Sequence, residues 1–202
     1  MNDKELDMER RSFGRLYDFL LPIVKAFYPM RCKGLENIPE GPAVVCANHS
    51  NYIDPLLVAA VFGKENYMHF MAKLELRRVP IIGAVLKKCG ICFVDRGKSD
   101  IDAIRSMMRY LKNGDKVFMF PEGTRAEHDN EVEAKTGAVR IASKMKVPIL
   151  PVYIPRGKKV FGRVELLIGE PYKVEARTHE EYEREADGIM ERIYELRDGT
   201  NG

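Results

Sequence analysis

Ala43-Val44-Val45-Cys46-Ala47-Asn48-His49-Ser50-Asn51-Tyr52-Ile53-Asp54-Pro55-Leu56-Leu57-Val58 contains the change of period that decides the fold. Its first five residues are an apolar run of strand length and read as a buried strand. Leu56, Leu57, Val58 and, just beyond, Val61 suit the first turns of a helix, with Ser50 or Asn51 placed to cap it. A strand, a short polar turn and a helix in that order form the repeating unit of an α/β sheet.

The unit recurs outward from this stretch. Strands are predicted over 67–72, 91–94, 116–120, 147–154 and 160–168. Helices are predicted over 51–62, from Ser99 to Asn113-Gly114, and over 135–145 and 180–196. Ser99 with Asp102 resembles a capping box, and Ile101, Ile104, Met108 and Leu111 make an apolar stripe behind it. The alternation predicts one α/β domain with a largely parallel sheet flanked by helices, and 202 residues suit a single domain. Sites in such sheets collect beyond the carboxyl ends of strands. His49, Arg96 and Glu122 each follow a predicted strand, so one crevice can gather them. Pro148 and Pro151 predict that the run 147–154 lies at an edge or carries a bulge.

Residues 1–31 form a separate N-terminal amphipathic segment ahead of the main domain at 32–202. Phe13, Leu16, Tyr17, Leu20, Ile23, Val24 and Phe27 recur at helical spacing, interrupted by Arg15, Asp18 and Lys25. Such a helix suits a membrane interface, or packing against its own domain. Pro22 is expected to bend or divide it. The mixed charges at the start are unlike a cleavable signal, and no window approaches the roughly 20 apolar residues of a spanning helix.

His49 and Asp54 place a base and a carboxylate partner five residues apart, facing each other across the helix start. The carboxylate fixes the imidazole tautomer and stabilises the imidazolium, as in a serine-protease triad. No Gly-x-Ser-x-Gly elbow accompanies them. A base without a protein nucleophile suggests that the substrate supplies the attacking group, most simply a hydroxyl. Alone, the pair equally suits a core histidine with a helix-start aspartate, but three further blocks shift the balance. Gly90-Ile91-Cys92-Phe93-Val94-Asp95-Arg96-Gly97 sets an arginine at a strand end, where its planar fork can grip an oxyanion. Phe120-Pro121-Glu122-Gly123-Thr124-Arg125 crowds a carboxylate, a hydroxyl and a guanidinium into one turn, which suits a polyol phosphate. Val147-Pro148-Ile149-Leu150-Pro151-Val152 reads as a buried wall. Lys73 follows the second strand and can add charge to the same crevice.

The charge is uneven. From Met71 to Lys98 there are seven bases against two acids, and from Glu165 onward eleven acids against five bases. The basic middle suits phosphates or anionic lipid; the aromatic motifs of RNA-binding sheets are absent, and nucleic acid ranks last as a partner. Residues 79–86, flanked by Arg77, Arg78, Lys87 and Lys88, suit either a lipid surface or an ordinary core. Four cysteines are too few for a disulfide scaffold, and Cys46-x-x-His49 with Cys89-x-x-Cys92 is a weak zinc pattern, so no metal is expected.

The four blocks, in this order, resemble the glycerolipid acyltransferases, most closely the 1-acylglycerol-3-phosphate (lysophosphatidate) acyltransferases. The first matches that family's Asn-His-x-x-x-x-Asp and the second its Gly-x-x-x-x-x-Arg. The third matches Phe-Pro-Glu-Gly-Thr-Arg, with Ala126 where a serine is common, and the fourth its proline-containing apolar strand. The resemblance runs from about Cys32 to about Glu170. It implies a glycerol-3-phosphate acyltransferase-like fold and transfer of an acyl group from a thioester on acyl carrier protein or coenzyme A. The acceptor is the 2-hydroxyl of lysophosphatidate, the product is phosphatidate, and no cofactor is required. By the same resemblance His49 is the base and Asp54 its orienting partner. Arg96 and Arg125 look like phosphate ligands, with Lys73 a third. Glu122 resembles the acceptor-binding carboxylate, and Gly123 and Thr124 belong to its loop. Many relatives carry long apolar spans or a two-helix anchor at the N-terminus. The shorter, charged segment here implies peripheral attachment at the cytoplasmic face of a membrane. The same blocks would serve a different acceptor, such as glycerol 3-phosphate, another lysophospholipid or a lipid-linked amine. A thioesterase using water, or a non-catalytic phospholipid-binding protein, would be the remaining readings.

Overall fold

The computed structural model describes residues 3–95, 101–126, 128 and 132–199. In chain order the elements are α1 (Asp3–Phe27), β1 (Met30–Lys33), β2 (Val44–Ala47), α2 (Asp54–Phe62), β3 (Met68–Lys73), α3 (Ile82–Lys88), β4 (Cys92–Val94), α4 (Ile101–Lys112), β5 (Lys116–Met119), α5 (Gly137–Met145), β6 (Ile149–Tyr153), β7 (Val164–Ile168) and α6 (His179–Asp198). The strands form one sheet in the order β1-β7-β6-β2-β5-β3-β4. Every described strand pairing is parallel except β6 with β7. This is the predicted α/β sheet, and its mid-strand β2 is the stretch whose reading set the fold.

β2 is buried along its whole length because the sheet is covered on both faces. Its alternate side chains enter two separate cores. Val44 and Cys46 join Met107 and Leu111 of α4, Val139 of α5 and Ile189 of α6. Val45 and Ala47 point the other way, to Phe13 of α1 and to Leu57, Val58 and Phe62 of α2. Truncating a fully buried side chain such as Leu57 to alanine costs about 2–5 kcal/mol.

Several local expectations need correction. β6 is internal, between β7 and β2, and not an edge strand. Pro151 is tolerated there because regular pairing with β7 begins one residue later, at Val152, so its missing N–H falls outside that ladder. Its carbonyl still accepts from the Gly169 N–H at 2.9 Å. α1 runs through Pro22 as one helix and is not divided. Leu6, Phe13 and Val24 of α1 are buried against the sheet domain, the second of the two alternatives for this helix, and β1, which the periodicity did not reveal, pairs with β7. Ser99, offered as a cap for α4, lies outside the described residues.

A second histidine–aspartate pair lies beneath α1. His69 of β3 sets Nε2 3.0 Å from Asp115 Oδ2, just ahead of β5, and its ring stacks on Tyr110 of α4. Arg10 of α1 pairs with the other Asp115 oxygen.

Candidate active site

Parallel strands that share a direction bring their carboxyl ends to one edge, and the site lies along the middle of that edge. His49 follows β2, Glu122 follows β5, and Arg156 and Lys158 follow β6. These are adjacent strands. Asn48 ties two of them together: its amide accepts from the Ile154 N–H at 2.7 Å and donates to the Ile154 carbonyl at 2.8 Å.

His49 Nδ1 lies 3.0 Å from Asp54 Oδ2. That oxygen also accepts the backbone N–H groups of Ser50, at 2.8 Å, and Asn51, at 2.7 Å. The carboxylate therefore caps the turn that leads into its own helix. The Asn51 side chain accepts the Ile53 N–H at 3.2 Å in the entering turn, but it does not cap the helix itself, because α2 starts later, at Asp54, after Ile53. Burial alone would raise the Asp54 carboxyl. The His49 hydrogen bond, the positive charge of Lys158 and the Asn51 N–H outweigh it and hold Asp54 below the usual carboxylate range. An ionised carboxylate only accepts, so Nδ1 carries the proton and Nε2 presents its lone pair. The imidazole stacks on Phe120, centroids 3.8 Å apart, and is 7 % exposed. Nε2 has no protein partner among the described residues.

Lys158 was not foreseen. Its ammonium stands 2.8 Å from Asp54 Oδ1, with the side chain 1 % exposed, and donates to Ser50 Oγ at 2.9 Å. A buried ammonium against a buried aspartate leaves the pair neutral as a unit. Sequence offered no signal for it, because Lys158 lies in a basic surface-like run 104 positions after Asp54.

Glu122 is buried and fully engaged. Oε2 accepts the His49 N–H at 3.2 Å; Oε1 accepts from Arg156 at 3.1 Å and from the Tyr194 hydroxyl of α6 at 3.0 Å. Burial pushes its pKa up, against the pull of Arg156, Tyr194 and the His49 N–H. Arg156 also donates to the carbonyl of Ala126, whose own N–H bonds the His49 carbonyl at 2.9 Å. Glu122 thus braces the backbone that carries His49, and both its oxygens are occupied within the protein. Gly123 takes φ 67° and its N–H closes the turn onto Phe120 at 3.0 Å. Only glycine adopts that conformation without cost.

The remaining predicted residues spread outward. Arg125 is exposed, its guanidinium 3.6 Å above the ring of Tyr52, which lies between His49 and Asp54 in the chain. Thr124 beside it is exposed. Lys73 ends β3, two strands from β2 and so roughly 10 Å away at ordinary strand spacing. It is exposed and pairs with Glu75 at 3.1 Å. Arg96 lies outside the described residues. No cluster of histidine, cysteine and carboxylate side chains able to hold a metal occurs among the described residues.

The description "Acyltransferase" belongs to a family that matches residues 29–155, a span holding His49, Asp54 and the whole 120–125 loop. The chain belongs to this acyltransferase family. It is 37 % identical over 142 residues to the 1-acyl-sn-glycerol-3-phosphate acyltransferase of Bacillus subtilis, covering 67 % of this chain and 70 % of that protein. It is 31 % identical over 159 residues to the chloroplastic 1-acyl-sn-glycerol-3-phosphate acyltransferase LPAT1 of Arabidopsis thaliana, covering 72 % of this chain but only 44 % of that longer protein. The fold of this acyltransferase-family chain superposes on the 1-acyl-sn-glycerophosphate acyltransferase PlsC of Thermotoga maritima with TM-score 0.70. The identity there is 28 %, over 98 % of this chain and 84 % of the other. The resemblance drawn from four short blocks therefore extends over nearly the whole fold.

Proposed function

We propose that this chain transfers an acyl group from a thioester, carried on acyl carrier protein or coenzyme A, to the 2-hydroxyl of 1-acylglycerol 3-phosphate, giving phosphatidate. The observation that carries the reading is the Nε2 of His49 at the carboxyl edge of the sheet, without a partner among the described residues and with Asp54 fixed behind it. Nε2 takes the proton of the acceptor hydroxyl as its oxygen attacks the thioester carbonyl. The tetrahedral intermediate collapses, the carbon–sulfur bond breaks, and the thiolate recovers the proton from His49. General-base help of this kind is worth about 10²–10⁴-fold. Asp54 holds the tautomer and stabilises the imidazolium.

Transfer is direct, without an acyl-enzyme. Ser50 Oγ accepts from Lys158, and Cys46 is fully buried with its thiol pushed far up by burial. The N–H groups of Ser50 and Asn51 already serve Asp54, so they are not the donors that stabilise the oxyanion. Lys158, too buried to meet substrate, acts as a positioning residue: it fixes the Asp54 carboxylate and offsets its charge. Arg125 is the described group best placed to take the acceptor phosphate, with Lys73 farther along the same edge. Glu122 positions the His49 backbone.

Attachment is peripheral. No helix among the described residues is long and apolar enough to cross a membrane. α1 buries Phe13 and Val24 and leaves Phe19, Ile23 and Phe27 exposed, as an interfacial helix does. The test is purified protein with lysophosphatidate and each thioester donor in turn, following free thiol and lipid product together. Equal yields of thiol and phosphatidate support the reaction. Thiol release with free fatty acid and no phosphatidate would replace it with thioester hydrolysis, and membrane binding without thiol release would leave only a lipid-binding role.

A further inference from the structure

We infer that the knob formed by residues 74–88 is a docking surface for an anionic lipid bilayer. It consists of a 3-10 turn, Leu74–Arg78, joined to α3 by Val79, Pro80 and Ile81. The Ile82 N–H bonds the Pro80 carbonyl at 2.7 Å, and Ile81 between them takes φ 65° and ψ −58°. This is the strained form of the γ-turn, and a β-branched residue is the costliest choice for it. Ile81 is nonetheless 81 % exposed, so the contacts of the fold do not explain its presence. Leu76, Val79 and Ile82 are exposed beside it.

The knob is rigid. Gly83 is buried where a Cβ would stand 2.2 Å from the Arg77 carbonyl, so α3 and the 3-10 turn meet backbone to backbone. Arg77, Arg78, Lys87 and Lys88 are all exposed around the aliphatic tip. Glu75, the single acid of the segment, is paired with Lys73. Lys73 is the last residue of β3, so the knob rises from the same edge of the sheet that carries His49.

An acidic protein would satisfy the four cations but gives no reason for an isoleucine held outward by strained backbone. A bilayer accounts for both: its acyl boundary takes Ile81 and Ile82, and its phosphates take the cations. The inference rests on the proposed reaction only in that the acceptor lipid would lie in the same bilayer.

Co-sedimentation with phosphatidylcholine vesicles, with and without phosphatidylglycerol, tests it. The unaltered chain should bind the anionic vesicles and largely ignore the neutral ones. Each surface cation is worth about fivefold in affinity, so R77E/R78E should weaken binding by roughly 20-fold or more. Ile81→Gly should keep or raise the melting temperature, because glycine suits the turn, while weakening vesicle binding several-fold. Both variants should turn over a water-soluble short-chain lysophosphatidate like the parent when no vesicle is present. Unchanged vesicle binding in both variants would overturn the proposal. So would a drop in melting temperature for Ile81→Gly, or loss of binding to an acidic carrier protein with vesicle binding intact. Absence of turnover in the unaltered chain would refute the reaction instead and leave the vesicle result standing.

Discussion

His49–Asp54 and His69–Asp115 are assembled from the same parts. Each is a 3.0 Å contact with an aromatic ring stacked on the imidazole: Phe120 on His49, Tyr110 on His69. Each aspartate has a cation on its second oxygen, Lys158 in one case and Arg10 in the other. Each has a nearby glutamate that receives a tyrosine hydroxyl, Tyr194 to Glu122 and Tyr110 to Glu9. Burial raises both of those glutamates. The difference is one nitrogen. His69 is completely buried and its Nδ1 faces the Gly90 carbonyl at 3.1 Å, so both ring nitrogens are engaged. His49 keeps Nε2 without a partner among the described residues, at the carboxyl edge. An imidazole–carboxylate pair is therefore not a catalytic signature in itself; the second nitrogen and its access to substrate decide.

The largest expected effect tests that distinction. His49→Ala should cut turnover by about 10²–10⁴-fold at a small cost in stability, because Asp54 keeps Lys158 and the N–H groups of Ser50 and Asn51. His69→Ala should do the reverse. It leaves Asp115 buried with one partner fewer, and a denaturant titration should show about 3 kcal/mol of lost stability with near-normal turnover per folded molecule. If His69→Ala abolished turnover in folded protein, the assignment of roles would be wrong.

Lys158→Met comes next. It removes the charge that offsets Asp54, and kcat should fall about tenfold at neutral pH with the acceptor KM unchanged. The acid limb of the pH–rate profile should move to higher pH, because an uncompensated Asp54 favours imidazolium. An unmoved profile would reduce Lys158 to packing. Arg125→Ala should raise KM for phosphorylated acceptors about tenfold with kcat retained, as expected for uniform binding of the phosphate. Equal KM changes for an unphosphorylated acceptor would remove that role.

The smallest effect is in acid melting. Asp54 and Asp115 are both held below their ordinary values, so the unfolded chain takes up their protons first. Stability should fall as pH drops below about 4, and Asp54→Asn or Asp115→Asn should each flatten that loss. Glu9 and Glu122 are raised, so the folded chain protonates them first and their contribution runs the other way, rising as pH falls toward about 4.3.

How much of this was legible follows from sequence distance. Asp54 is five residues from His49 within one turn, and the strand before it announces itself by composition, so the first pair could be read directly. His69 and Asp115 are 46 residues apart, and only the pairing of β3 with β5 joins them. Lys158, Arg156 and Tyr194 reach the site through β6 and α6, and nothing in their local sequence marks them. Glu122 was legible as a functional position but not as a brace, because its three donors come from three other parts of the chain. Pro151 of β6 misled because its cost depends on which neighbour the missing N–H would face, which only the sheet order supplies.

The loop that carries Lys158 also receives the end of α1. The Phe161 N–H bonds the Phe27 carbonyl at 2.6 Å, and the rings of Phe27 and Phe161 meet at 5.5 Å. At its other end the same helix supplies Arg10 to Asp115. Deleting the first 28 residues would thus strip a support from the segment three residues after Lys158 and uncover a charged carboxylate at the start of β5. A truncated form that lost activity would report a disturbed centre as much as a missing lipid contact. Point changes at Phe19 and Ile23, which lie on the outer face, separate the two.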